Sequence, residues 1–219
     1  MRWYWLVNLF LMVVVTSFAQ QTADSLANTK TKQILSYLAG LPQQNKLLSG
    51  QFAGYSPDTF NTSIIDQITQ QIGQTPAILG CDWACGWDYK TPPETIIDYS
   101  CNSALKNHWS LGGLVTVSMH LPNPSSANGG GYNSKGSLNF ADLLNVSTTT
   151  GQRWRAFLDR MVLGLSDLQQ SGVTVLFRPF HEMNGDWFFW GSQVKEKLSL
   201  KITRNSYDLG CTNIYQCMD

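Results

Sequence analysis

Charge is scarce in this chain. Only 14% of its residues are charged and the formal net charge is zero. No electrostatic surface is therefore expected to draw in nucleic acid or an anionic membrane. Histidine is scarcer still: His108, His120 and His181 are the only three. No G-x-G-x-x-G follows the first strand-like segment and no G-x-x-x-x-G-K-[ST] occurs anywhere, which removes the usual phosphate cradles of nucleotide-binding sheets. No G-x-S-x-G elbow supports a serine hydrolase. His181-Glu182 begins like H-E-x-x-H, but Gly185 stands where the second histidine belongs, so a zinc protease is excluded. The chain shows no internal repeat and no linker to a second domain. No cofactor is implied.

What remains is apolar and aromatic. Hydrophobic residues make up 43% of 219, enough for one globular domain with a sizeable core. Arg2 precedes a mostly apolar run from Trp3 to Phe18, and Ser17-Phe18-Ala19 offers the small-x-small pattern ahead of polar Gln20 and Gln21. Residues 1–19 are therefore expected to be a secretory signal cleaved after Ala19. The run is shorter than the ~18 residues of a spanning helix, which disfavours an uncleaved anchor. No later segment is long enough to span a membrane. The mature protein is expected to be soluble and secreted, extracellular or periplasmic, with no membrane partner. Export permits disulfides. The five cysteines (Cys81, Cys85, Cys101, Cys211 and Cys217) are odd in number, so at least one is free or paired between chains, and spacing does not decide the pairing. The Cys81-x3-Cys85 spacing lacks the second pair of ligands that a zinc site needs. Eight tryptophans serve either a carbohydrate cleft, through stacking on sugar C–H faces, or the core.

After the signal, helix-like and strand-like patterns alternate. Helices are expected over Asp24–Ala39, Phe60–Ile72, Pro92–Trp109 and Arg153–Gln170, from apolar residues at helical spacing and their Gly or Pro punctuation. Strands are expected over Lys46–Phe52, Pro76–Asp82, Gly113–His120 and Val173–Phe180. A Gly/Asn/Ser-rich loop covers Asn123–Gly136. Such alternation with near-continuous apolar strands means a parallel sheet buried on both faces. An open doubly wound sheet and a (β/α)8 barrel both fit. Asp82-Trp83, His120 and His181-Glu182 all fall at carboxyl ends of strands, where barrel chemistry lies, and this favours the barrel. Only four strands precede residue 183, about half of a barrel that usually needs ~250 residues. The stretch 192–219 shows no convincing strand, which would leave the fourth strand an open edge.

The densest concentration of chemistry is Arg178-Pro-Phe-His-Glu-Met-Asn-Gly-Asp-Trp-Phe-Phe-Trp-Gly191. A carboxyl at a strand end among four aromatics is expected to be desolvated, and so suited to donating a proton. A regular strand would put Arg178 on the face of Glu182, and a structural Arg–Glu pair is the plainer alternative. His120 and His181 both sit at strand ends and could converge, with hydroxyl recognition favoured over metal binding. His108 lies in a helical pattern and reads as structural.

His181-Glu182-Met183-Asn184-Gly185 followed by Trp187-Phe-Phe-Trp-Gly191 resembles the signature of glycoside hydrolase family 26, whose best-known members are endo-β-1,4-mannanases. Leu48-Ser-Gly-Gln51, Asp82-Trp83 and Met119-His-Leu-Pro-Asn-Pro124 support the resemblance in the right order. It implies a (β/α)8 TIM barrel, here only its N-terminal half of about four βα units over residues 20–191, with an atypical tail at 192–219. It also implies retaining hydrolysis of β-1,4-mannosidic bonds in mannan, glucomannan or galactomannan. Glu182 matches the acid/base, and His120, Arg178, His181 and Trp187 match substrate-binding positions, with Asp82 and Trp83 added from the second strand. Relatives acting on β-1,3-xylan or mixed-linkage β-glucan are the alternative. The family nucleophile is a glutamate at the end of the seventh strand. Asp186, Glu196, Asp208 and Asp219 are the acids after Glu182, and none lies in a matching motif. The chain alone is therefore expected to be inactive, and a non-catalytic fragment or weak polysaccharide binder, using Trp83, Trp87, Trp187 and Trp190, is the competing expectation.

Overall fold

A computed structural model describes residues 21–85, 88–127, 138–183, 185 and 187–191, together with the backbone of 213–214. The expected signal segment, Trp87, most of the Gly/Asn/Ser-rich loop, Cys211, Cys217 and nearly all of the 192–219 tail lie outside the described residues.

Helix α1 spans Thr29–Gly40 and begins where the Asn28 side chain accepts from Thr31 N. That cap places the start five residues later than the apolar spacing indicated. Strand β1 spans Gly50–Tyr55, followed by α2 at Ser63–Ile72, which Gly73 ends in the left-handed conformation. Strand β2 covers Ile78–Asp82, α3 Asn102–Ser110 and β3 Leu114–Ser118. The short α4 at Phe140–Leu143 leads into α5 at Thr149–Gln170, whose first turn is capped by Thr148. Strand β4 is Val175–Arg178 and β5 is Asn213–Ile214.

Three expectations from the sequence are corrected. Pro92–Trp109 is not one helix: a 3-10 turn at Pro93–Ile96 stops before Ile97, which is extended, and α3 starts only at Asn102. Ile97 bridges Ala84 and Asp98 N donates to Trp83 O. The Asp98 carboxylate accepts from Ser56, Ser100 Oγ and Ser100 N, and such local bonds compete with helix formation. Strand β1 lies further along than expected, because its pairing starts at Gly50↔Ile78 and, among the described residues, no strand pairs with Lys46–Leu48. The tail also contributes to the sheet: Asn213 and Ile214 pair in parallel with Val175 and Leu176, so the β4 edge is partly covered.

The strand order is β1-β2-β3-β4-β5, with every pairing parallel. A doubly wound sheet reverses its order at a switch point. This sheet never does, so each strand is added beside the last, as in a barrel. Leu79, Cys81, Val115, Val117, Val175 and Phe177 form the buried outer face. Trp154, Phe157, Met161, Leu165 and Leu168 of α5 join them in one core, each burial stabilising by about 1.5–3 kcal/mol. A disulfide links Cys81 of β2 to Cys101 before α3, and Cys85 is free and buried.

The opposite face is open at its top. Asp82, Ser118 and Arg178 share one row across β2, β3 and β4, above a row of Gly80, Thr116 and Leu176. A hollow on this face is lined by Gln51, Phe52, Gly80, Thr116, Ser118 and Arg178, among others. Its lower end is closed by α1: Leu35 packs on Leu176, the Thr31 and Thr174 hydroxyls meet at 2.8 Å, and Lys30 Nζ lies 4.3 Å over the Trp109 ring. Among the described residues no helix is long and apolar enough to cross a membrane.

Candidate active site

The carboxyl ends of the first four strands bring together Tyr55, Asp82, His120, His181 and Glu182. Parallel strands present these residues at one rim, and the loops that follow fix their directions.

Asp82 closes β2 and is fully buried. Its Oδ1 accepts from Ala84 N at 2.9 Å and His120 N at 3.0 Å. Its Oδ2 accepts from Ser118 Oγ at 2.6 Å and His120 Nδ1 at 2.8 Å. With four internal donors and no exposure, Asp82 does not reach a ligand directly. It acts through His120, holding a proton on Nδ1 and fixing the direction in which Nε2 points.

His120 Nε2 faces His181 Nε2 at 3.2 Å, with ring centroids 4.4 Å apart. Burial, and then the neighbouring His120, push the His181 pKa down to about 4 against the opposing pull of Asp82 and Glu182. His181 is thus neutral near pH 7, and the two Nε2 atoms share one hydrogen bond whose donor is set by the tautomers of the two rings. Its Nδ1 is buried without a partner. Tyr55 stands edge-on to His120 at 5.2 Å. Burial, followed by Asp82, Cys85 and Glu182, raises its hydroxyl pKa above the usual range.

Glu182 follows β4 in a left-handed turn, with φ 55°. That conformation is costly for a side chain other than glycine, and it swings the carboxyl off the line of the strand. Trp187 Nε1 donates to Glu182 Oε2 at 2.7 Å. Gly185 makes this possible: a Cβ there would fall 2.3 Å from Trp187 Cζ2, so only a residue without a side chain lets the indole fold over the turn.

Several sequence expectations change here. Glu182 is exposed, so the apolar enclosure read from its neighbours is not formed around it. Phe188, Phe189 and Trp190 instead turn into the core. Phe188 stacks on Trp190 at 4.2 Å, and Trp190 Nε1 donates to His181 O at 2.9 Å. Trp83 is fully buried against Tyr99 and Phe177, facing away from the rim. Trp187, 44% exposed, is the one of these indoles open to a ligand among the described residues. Arg178 lines the inner hollow, and no ion pair joins it to Glu182 among the described residues. His108 is structural as read: it is buried, with Nε2 3.3 Å from Ala77 O. Sequence reasoning missed Tyr55 and Ser118. Their signal was position alone, at the ends of β1 and β3.

The family model "Glycosyl hydrolase family 26" matches residues 23–210. A Bacillus subtilis protein named mannan endo-1,4-beta-mannosidase is 43% identical over 167 residues, covering 75% of this chain and 46% of the relative. Mannan endo-1,4-beta-mannosidase A and B of Caldalkalibacillus mannanilyticus is 41% identical over 194 residues, covering 87% of this chain and 37% of the relative. The solved structure of a Bacillus subtilis mannanase superposes with a TM-score of 0.80 at 36% identity, covering 89% of this chain and 63% of that one. The chain thus spans about half the length of the curated relatives it matches.

Proposed function

Because the chain belongs to glycosyl hydrolase family 26, we propose that it supplies the acid/base half of a retaining β-1,4-mannan hydrolase, with Glu182 as the proton donor and acceptor. The observation that carries this reading is Glu182 itself: an accessible carboxyl at the end of β4, aimed by a left-handed turn and held by Trp187. As acid it protonates the leaving glycosidic oxygen, and as base it takes the proton of the incoming water. Trp187 offers a half-exposed apolar face for a sugar ring. The His120–His181 pair and Arg178 offer polar groups for sugar hydroxyls.

The reaction also needs a second carboxylate, about 5–5.5 Å from the first, to attack the anomeric carbon. Among the described residues Asp82 is the other carboxyl at this rim, but its buried oxygens already accept four hydrogen bonds. The nucleophile therefore comes from outside the described residues, and the 219-residue chain alone is expected to bind mannan fragments with little or no turnover. Secretion through residues 1–19 fits a polymer too large to enter a cell. The polymer is mannan, glucomannan or galactomannan in this reading, with β-1,3-xylan and mixed-linkage β-glucan as comparison substrates.

The test is reducing-sugar release and oligosaccharide binding on these polysaccharides, with Glu182→Gln beside the unaltered protein. Turnover on mannan that falls by about 10²–10⁴ in Glu182→Gln supports the acid/base role and overturns the expectation that the chain alone is inactive. Binding of manno-oligosaccharides without turnover supports the expectation for the chain alone. Undiminished turnover in Glu182→Gln, or no affinity for any β-mannan, overturns the reading.

A further inference from the structure

The loops that follow β1 and β2 bring together a second group of ligand-type side chains, beside the rim but outside the set used above. Asp58 stands in the turn after β1. Cys85 and Asp88 stand after β2, where Asp88 N donates to Cys85 O at 2.8 Å. One carboxylate oxygen of Asp58, one of Asp88 and the Cys85 Sγ all lie within 4.8 Å of one another.

All three donors are free. Cys85 is only 4% exposed, and its thiol makes no hydrogen bond among the described residues. Cys81, the cysteine nearest to it in sequence, is taken by the bridge to Cys101. Neither the Asp58 nor the Asp88 carboxylate has a hydrogen bond or ion pair among the described residues. Two carboxylates in so small a volume repel each other. They also repel a thiolate: burial, followed by Asp58, Asp88 and Asp82, pushes the Cys85 thiol up to about 11, and Lys90 is the weakest influence on it. A divalent cation reverses each of these repulsions and takes the sulfur as its anion.

Zinc binds thiolate sulfur at about 2.3 Å and carboxylate oxygen at about 2.0–2.2 Å, with tetrahedral geometry. Neighbouring donors in such a shell are about 3.3–3.7 Å apart, so the three atoms need to close by no more than about 1.5 Å. Asp58 is exposed and Asp88 half-buried, so both carboxylates have room to turn toward the buried sulfur.

We propose that Asp58, Cys85 and Asp88 form a binding site for a borderline-soft divalent cation such as Zn²⁺, held by one thiolate sulfur and two carboxylate oxygens, with water in the fourth position. The thiol proton passes to solvent as the sulfur–metal bond forms, and the carboxylates bind already ionised. The ion ties the loop after β1 to the loop after β2, and so clamps the strand ends that carry Tyr55 and Asp82. It takes no part in proton transfer, and the site does not depend on the reading of Glu182 above.

The experiment is calorimetric titration of the purified chain with Zn²⁺ at neutral pH, in a non-chelating buffer without reductant, repeated with Co²⁺ and read by absorption. One ion per chain is expected, with thiolate-to-Co²⁺ charge-transfer absorption in the near ultraviolet and a raised urea midpoint. Cys85→Ser should abolish binding and the charge-transfer band. Asp58→Asn, at an exposed position where misfolding is not expected, and Asp88→Asn should each weaken binding by at least about tenfold, since even partners outside the shell contribute about 10–100-fold. Replacing Cys211 and Cys217 together by serine should leave binding unchanged. No binding at millimolar Zn²⁺, a Co²⁺ spectrum without the thiolate band, or undiminished binding in Cys85→Ser or Asp58→Asn overturns the proposal. So does binding lost only in the Cys211 and Cys217 double variant.

Discussion

The indole N–H of Trp187 reaches Glu182 Oε2 over 2.7 Å, five residues further along the chain. That bond closes a turn around Gly185 and holds the proposed acid/base carboxyl beneath the one half-exposed indole of the rim among the described residues. Trp83, expected from sequence to share this role, is fully buried on the other side of the sheet. The two tryptophans should therefore fail differently. Trp187→Ala is expected to weaken manno-oligosaccharide binding roughly tenfold, about 1.4 kcal/mol, with the urea midpoint little changed. Trp83→Ala is expected to cost about 3–5 kcal/mol of stability through the cavity it leaves. Calorimetric binding and urea denaturation on both variants check this. Equal effects on binding at equal stability would contradict the placement.

Gly164 lies in α5 against the buried indole. A Cβ at this position would stand 2.8 Å from Trp83 Cη2 and 3.1 Å from Tyr99 Cβ. Alanine gains about 1 kcal/mol in helix propensity over glycine, whereas overpacking costs about 1–3 kcal/mol. Gly164→Ala is expected to be net destabilising by about 1 kcal/mol, measured as a lower urea midpoint at unchanged slope. A stabilised variant would show that Trp83 and Tyr99 have room to give.

Asp98 ties the segment after β2 to the loop after β1. Burial raises its pKa, but the bonds from Ser100 and Ser56 and the nearby Arg160 outweigh burial and hold it below the usual carboxylate value. A carboxyl whose folded pKa is depressed stabilises the fold fully above its unfolded pKa, ~3.9. That contribution is lost as pH falls from there through the folded value. Asp98→Asn should therefore lower stability at pH 7 and flatten its decline below about pH 4. Stability measured against pH in urea would reveal an unchanged acid limb if the bonds to Ser56 and Ser100 contribute nothing.

The Cys81–Cys101 bridge closes a loop of sequence separation 20, so removing it by Cys81→Ala with Cys101→Ala is expected to cost about 3 kcal/mol. Cys85 is buried, and burial followed by Asp58, Asp88 and Asp82 pushes its thiol pKa up to about 11. It should resist iodoacetamide in the native protein and react in urea, because the thiolate is the reactive form. Rapid native alkylation of Cys85 would contradict its burial.

Much of this molecule was legible without coordinates. Apolar periodicity marked α2 and α5, glycines marked the ends of both, and the four β-rich runs marked the first four strands, because each is a local property of side-chain spacing and backbone freedom. The run from Arg178 to Gly191 exposed Glu182 in the same way, through residue types rather than contacts. Where the sequence misled, the deciding partner was distant along the chain. The break between Pro93 and Asn102 comes from Ala84, Trp83 and Ser56. The start of β1 is set by Ile78.

What only the tertiary structure decided is which polar and aromatic side chains face the rim. Asp82 and Trp83 are neighbours, and consecutive residues leaving a strand point to opposite sides. One therefore becomes the brace of His120 and the other part of the core. The His120–His181 contact spans 61 positions, and a shared proton between two rings depends on packing that places them within 3.2 Å. Composition carries the propensity to make such a sheet. Strand register and the burial it imposes choose the residues that meet.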